Sequence, residues 1–174
     1  MSPVSTDGEP DSGGEPRSAL PVRFADADGR RIALRTYAGE GDALAAMYAS
    51  FEPTDRAQGL PPATEPRLRA WLEDLLDDGL HVLAWHGDAV VGHVALLPIG
   101  DGRAELAIFV AHDYQRATIG THLVEAALRH GREHGIERVW LTVERRNHAA
   151  RRLYESVGFR EVASGAEHEF ERDL

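Results

Sequence analysis

Val110-Ala111-His112-Asp113-Tyr114-Gln115-Arg116-Ala117-Thr118-Ile119-Gly120-Thr121 follows an apolar run, Ala104 to Val110, and leads directly into a helix-patterned segment. A strand that ends in a polar turn and passes at once into a helix aims several backbone N–H groups at one spot, together with the positive end of the helix. Such a spot binds phosphate or pyrophosphate. Taken alone, the turn fits equally well a plain strand-to-helix connection in which Gly120 serves packing, since a glycine-poor loop is a weak signal. Its meaning depends on what surrounds it.

Upstream, Leu80–Trp85, Ala89–Leu97 and Ala104–Val110 read as three strands, with Gly87-Asp88 and Gly100-Asp101-Gly102 at the turns. That pattern predicts an antiparallel meander. Downstream, Ile119, Leu123, Val124, Ala127 and Leu128 form the buried face of a helix from Thr118 to about His134, with Gly135 at its C′ position. Arg138–Glu144 alternates as a strand, and the strand–helix–strand unit from Ala104 to Glu144 requires a parallel pair. Asn147 caps a further helix bearing Ala150, Leu153, Tyr154 and Val157 on one side and stopped by Gly158; Phe159–Ala163 and Glu167–Glu171 close the chain as strands.

Toward the N-terminus, Val22–Phe24 and Arg31–Tyr37 predict a hairpin around Asp28-Gly29. Asp42 caps a helix to about Phe51, with Leu44, Met47, Tyr48 and Phe51 on its apolar stripe. A loop from Glu52 to Pro62 separates it from a second helix, opened by Thr64 with Pro66 in its first turn and ended by Gly79. The order β-β-α-α-β-β-β-α-β-α-β-β predicts an α/β (α+β) fold, a mixed central sheet of about seven strands flanked by about four helices. One domain, 21–174, follows a disordered acidic tail, 1–20, rich in Ser, Pro, Gly, Asp and Glu.

Composition narrows the function. With no cysteine, disulfides, thiolate metal sites and cysteine nucleophiles are excluded. No apolar stretch approaches the roughly 18 residues that cross a bilayer, and the N-terminus has no signal-peptide pattern, so a cytoplasmic location away from membranes is expected. The net charge of −10 argues against a nucleic-acid partner. All 19 basic residues are arginine. An acidic, lysine-free surface suits either solubility at high salt or attraction of a cationic substrate, and charge balance alone does not separate the two. His130 and His134 stand four apart on the long helix, but their place in its last turn suits the helix C-terminus better than a metal, and no metal site is expected.

The stretch Gln115-Arg116-Ala117-Thr118-Ile119-Gly120, together with Asn147, Tyr154 and Gly158-Phe159 at their spacing, resembles the acetyl-CoA-binding core of the GCN5-related N-acetyltransferases, the GNAT family. The likeness covers about Val22 to Arg160. The family's loop pattern is Q/R-x-x-G-x-G/A; Thr118 stands here where the first glycine is usual. Its Cβ disfavours positive φ, while its hydroxyl offers a donor to a phosphate oxygen. The resemblance implies acetyl-CoA as co-substrate, an amine acceptor, a possible homodimer, and a mixed sheet of this kind. It places the cofactor along Phe109, Val110, Gln115, Arg116, Ala117, Thr118, Ile119, Gly120, Thr121 and Asn147, with the backbone of Phe109 and Val110 pairing the pantetheine arm like an added strand. Ala104 to Val110 is also similar to the acetyltransferase domain of Pat-type protein-lysine acetyltransferases.

Acetyl transfer requires a neutral amine, a stabilised thioester oxygen and a proton for the departing thiolate. Tyr154 is the expected proton donor by resemblance, since a phenol pKa near 10 matches a thiolate, although it also lies on the apolar stripe of its helix. Glu105 interrupts an apolar strand on the face of Ala107 and Phe109 and is the expected base; the other reading is a solvated residue at a strand end. The competing function is a non-catalytic sensor that binds CoA without turnover.

Overall fold

The computed structural model describes residues 20–56 and 59–174. The acidic tail falls almost wholly outside the described residues, except that Leu20 is already packed against the core. Eight strands, β1 (Val22–Ala25), β2 (Arg31–Thr36), β3 (Leu80–His86), β4 (Ala89–Gly100), β5 (Arg103–Val110), β6 (Arg138–Glu144), β7 (Arg160–Ser164) and β8 (Glu167–Asp173), alternate with four helices, α1 (Gly41–Ala49), α2 (Glu65–Asp77), α3 (Ile119–Glu133) and α4 (His148–Ser156). They form one sheet in the order β1-β2-β3-β4-β5-β6-β8-β7. All eight strands of the order read from sequence join the sheet, one more than the about seven expected of it, and the predicted N-terminal hairpin forms as β1 and β2. Every pairing is antiparallel except β5–β6, the pair predicted to be parallel.

The sheet is covered on both sides, and strand alternation sorts its side chains. On β3, Val82 and Ala84 join the cluster under α3, while Leu83 and Trp85 join the cluster under α1 and α2. Both faces of β3 are therefore apolar, which explains its near-continuous hydrophobic run. The α3 face is filled by Ile119, Leu123, Val124 and Leu128, and the α1/α2 face by Leu44, Met47, Tyr48, Phe51, Leu68 and Leu72. Full burial of each large aliphatic side chain stabilises by about 1.5–3 kcal/mol. Gly92 lets the two layers approach: a Cβ there would lie 2.8 Å from Leu123 Cδ1.

Several boundaries shift by a few residues from expectation, and two of the differences have a plain cause. Glu40, not Asp42, occupies the N-cap of α1, and Asp42 lies in its first turn, where a carboxylate still favours the helix dipole. β4 continues past Leu97 to Gly100 because an irregularity between Pro98 and Gly100 carries it round the turn into β5. Among the described residues no helix is long and apolar enough to cross a membrane.

Candidate active site

The site begins where β5 and β6 part. They pair at Arg103–Arg138, Ala104–Val139 and Glu105–Trp140 and no further, whereas β5 stays paired to β4 as far as Gly92–Val110. From Leu106 to Val110 one edge of β5 is thus free of any strand, and such an edge accepts an extended ligand through main-chain hydrogen bonds. A short 3-10 turn, His112–Tyr114, and the loop Gln115–Thr118 lead from this edge to α3.

The loop adopts the backbone that the missing glycine would have supplied. Arg116 has φ +56° and Thr118 φ +72°. A β-branched residue in the left-handed region is a true outlier, costing on the order of 1–2 kcal/mol. Although the Thr118 Cβ disfavours positive φ, the chain carries that strain and keeps the turn. Among the described residues none of the backbone N–H groups from Arg116 to Thr121 has an acceptor, and the Thr118 side chain makes no capping bond. Unmatched donors at a helix N-terminus, of which those of Arg116, Thr118, Gly120 and Thr121 belong to residues lining the adjoining cleft, form a cradle suited to an anion.

The fork and the cradle open into one cleft of about 1020 Å³. Its walls carry four arginines, Arg56, Arg116, Arg146 and Arg152, against two carboxylates, Asp55 and Glu144. A net cationic cleft in a chain of net charge −10 matches a polyanionic ligand. The donor set therefore suits the phosphates of a nucleotide cofactor.

Of the residues singled out from sequence, Val110, Gln115, Arg116, Thr118, Gly120, Thr121 and Asn147 line the cleft. Ala117 and Ile119 do not: both are buried, and Ala117 instead offers its carbonyl to Ala27 N at 3.1 Å. The Phe109 ring turns away to pack against Tyr48, Phe51 and Trp71, so its side chain does not reach the fork. Gly120 serves packing as well, since a Cβ there would sit 3.0 Å from Leu153 Cδ1 of α4. Asn147 is the N-cap of α4, its Oδ1 accepting from Ala150 N at 3.1 Å, and lines the cleft too.

Neither catalytic expectation lands on the cleft wall. Tyr154 is buried, its ring 5.6 Å from Phe159 and 6.4 Å from Phe170. Burial pushes its phenol above the ordinary value, so the match to a thiolate assumed from sequence does not hold, and the group keeps its proton more tightly. Glu105 is half-buried at the last β5–β6 pair, the apex of the fork, on the α1/α2 side.

The groups that brace the loop come from a distant part of the chain and are not foreseen from local pattern. Arg30, in the β1–β2 turn, donates to the Asp113 carbonyl at 2.9 Å and lies 4.2 Å from the centre of the Tyr114 ring. Asp26 holds Arg30 at 2.7 Å; burial opposes the Asp26 charge, but Arg30 and the N–H groups of Arg30 and Asp28 outweigh it and leave its pKa lowered. Tyr114 is fixed in turn by His86, Nδ1 to hydroxyl 2.8 Å.

A second unforeseen group lies behind β5, on the α1/α2 face. His93 is the cross-strand partner of Phe109. His81 Nε2 meets the Asp78 carbonyl at 2.9 Å, His81 Nδ1 meets His93 Nε2 at 3.0 Å, and His93 Nδ1 meets the Tyr48 hydroxyl at 2.7 Å. A carbonyl only accepts, which fixes the whole chain: His81 donates to Asp78, His93 donates to His81, and Tyr48 donates to His93. Both imidazoles are neutral. Burial lowers the His81 pKa and, with His81 beside it, pushes His93 down to about 3. Near the end of α3, His134 Nδ1 donates to the His130 carbonyl at 2.8 Å, as a last-turn histidine should.

Comparison with known proteins agrees with this geometry. The sequence profile of the Acetyltransferase (GNAT) family matches residues 43–159. Among solved structures, the GNAT domain of S. lividans PAT superposes with a TM-score of 0.78 at 18% identity, covering 88% of this chain and 97% of that one. The PaiA N-acetyltransferase from Thermoplasma acidophilum, in complex with coenzyme A, gives 0.62 at 19% identity, over 82% of this chain and 99% of that one. YncA, a putative acetyltransferase from Salmonella typhimurium with its cofactor acetyl-CoA, gives 0.66 at 16% identity, over 82% and 94%. No curated protein matches by sequence. A family match spanning 117 of 174 residues, on a sheet forked between β5 and β6 with a cationic cleft at its mouth, places this chain in the GNAT family of acetyl-CoA-dependent N-acetyltransferases.

Proposed function

We propose that the protein transfers an acetyl group from acetyl-CoA to a primary amine, of a small molecule or a protein, by direct attack within a ternary complex. The observation that carries this reading is the free β5 edge from Leu106 to Val110 running into six unmatched N–H groups beside Arg116. In it, the cradle from Arg116 to Thr121 holds the pyrophosphate, and Arg146 and Arg152 neutralise further phosphate charge. The Val110 backbone pairs the pantetheine arm, and Asn147 lines its path. Acetyl-CoA supplies an activated thioester. The apical position of Glu105, on the side of α1 and α2, suits a group that takes the amine proton through water. Tyr154 is assigned as the donor to the thiolate: its phenol is neutral, and a thiolate formed in the same water-poor surroundings is itself a stronger base than in water, which offsets the effect of burial on the phenol.

The test is release of CoA thiol with and without added amines and lysine-bearing peptides, in wild type and Tyr154→Phe. Amine-dependent release that falls at least about tenfold in Tyr154→Phe, with acetyl-CoA binding retained, supports the assignment. An unchanged rate removes Tyr154 from the mechanism. Tight binding with no release under any amine makes the protein a CoA sensor instead.

A further inference from the structure

The connection between α1 and α2 reaches the cofactor cleft. Its 3-10 turn, Pro53–Asp55, together with Arg56, forms one wall of the space whose opposite side holds Gln115 and Thr118. Across that mouth Asp55 Oδ1 accepts from His112 Nδ1 at 2.7 Å and from Gln115 Nε2 at 3.4 Å. Asp55 Oδ2 accepts from Glu52 N at 3.1 Å, which locks its own turn. The carboxylate side chain is only 4% exposed, so these are its working partners. Burial raises its pKa, but His112 and the Glu52 N–H more than offset this and the carboxylate stays ionised.

Gln115 holds two acceptors at once. Its amide also donates to the Val110 carbonyl at 3.1 Å, on the free edge of β5. A ligand strand pairing with that edge competes for the same carbonyl. If the amide leaves Val110, Asp55 is already within reach, so the donor is transferred rather than stranded. The bond at 3.4 Å is the weak one and has room to shorten.

We propose that Asp55 is a positioning residue that couples the two loops: when acetyl-CoA pairs with Val110, the Gln115 amide passes to Asp55 and draws the α1–α2 connection against the cofactor loop. Occupancy of the cofactor cleft thereby sets the wall that the amine acceptor meets. His112 is the second tie. It faces Asp55 and Glu52 from the α1–α2 connection and Asp113 on its own turn, and the bond to Asp55, followed by these charges, raises its pKa. This inference rests on the acetyl-CoA reading of the cleft.

Hydrogen exchange with acetyl-CoA alone as the probe tests it without a known acceptor. In wild type, saturating acetyl-CoA is expected to slow exchange in two places, 116–121 and 51–56, by at least about fivefold in the second, the low end of ordinary site-to-site coupling. In Asp55→Asn the protection at 116–121 is expected to persist while the change at 51–56 falls below about half its wild-type value on a logarithmic scale. In Gln115→Ala, which alters a cofactor-site residue and is compared at equal acetyl-CoA occupancy, the change at 51–56 is expected to fall likewise. His112→Gln, which keeps a donor to Asp55, is expected to retain it. Protection of 116–121 without 51–56 in wild type overturns the coupling and leaves the cofactor reading standing. Protection of neither segment defeats the cofactor reading itself. Equal coupling in wild type and both coupling variants shows that Asp55 and Gln115 do not carry it.

Discussion

The two sides of β5 are built on opposite principles. Behind Phe109, the Tyr48–His93–His81–Asp78 chain satisfies every polar atom along its path with one direction of donation, among side chains that exclude water. In front of Val110, among the described residues, six N–H groups have no acceptor, two non-glycine residues hold positive φ, and the tie between the α1–α2 connection and the 3-10 turn uses a histidine whose side chain is 66% exposed. The first arrangement stabilises a fixed platform, while the second stores strain and unmet hydrogen-bonding capacity for a ligand to use. Their histidines accordingly titrate in opposite senses.

Cutting the chain behind β5 is expected to have the largest effect. His93→Ala strands the Tyr48 hydroxyl and the His81 Nδ1 acceptor and leaves a cavity, at a cost of about 3–5 kcal/mol in a denaturant melt. A loss below about 1 kcal/mol would mean that the chain is not a stabilising unit.

Acid comes next. The folded pKa values of His81 and His93 lie below the unfolded value near 6.5, so their contribution is complete above that pH and is lost as pH falls from there through the folded values, of which that of His93 is about 3. Each contributes a limiting slope of about 1.4 kcal/mol per pH unit. The His112–Asp55 tie runs the other way: the His112 pKa is raised, so its contribution is complete below about 6.5 and is lost as pH rises through the folded value. Imidazole titration by NMR should show His112 above and His93 far below the ordinary value, and finding the two alike would erase the contrast.

A smaller change sharpens the picture of the front side. Thr118→Gly relieves the left-handed strain and is expected to stabilise the ligand-free chain by about 1 kcal/mol or less, because glycine also gains unfolded-state entropy. Thr118→Val keeps the strain and removes the hydroxyl. If Val binds acetyl-CoA as well as Thr does, the hydroxyl makes no phosphate contact and only the turn matters.

Most of the scaffold was legible because it is written in local periods. The alternation on β3, the 3.6-residue spacing of Leu123, Ala127 and their neighbours, and the turn glycines around 87, 100 and 135 each report on nearby chain. The backbone half of the site was legible for the same reason, since Gln115 to Thr121 is a single strand-to-helix turn. The side-chain half was not. Asp55 and His112 are 57 residues apart, and His81 and His93 meet only through the β3–β4 register, so no spacing along the chain announces either pair. Of the four arginines in Arg145-Arg146-Asn147 and Arg151-Arg152, Arg146 and Arg152 line the cleft, whereas Arg145 turns to the Gly165 carbonyl and Arg151 to Glu161, a division that the sequence pattern does not reveal. Tyr154 and Glu105 were placed on the correct elements, but sequence pattern does not separate a buried phenol from one that opens into the cleft.

The central claim is that the fork and the strained loop form an acetyl-CoA site. Its most direct test is the melting temperature of the full chain with acetyl-CoA, with NADH as control, at low and high salt. Acetyl-CoA at about one hundred times its Kd should stabilise the fold by about 2.7 kcal/mol, a rise of about 5 °C or more, reduced by salt and not reproduced by NADH. No shift in either salt, or an equal shift with NADH, would contradict the account and reduce the loop to a structural turn.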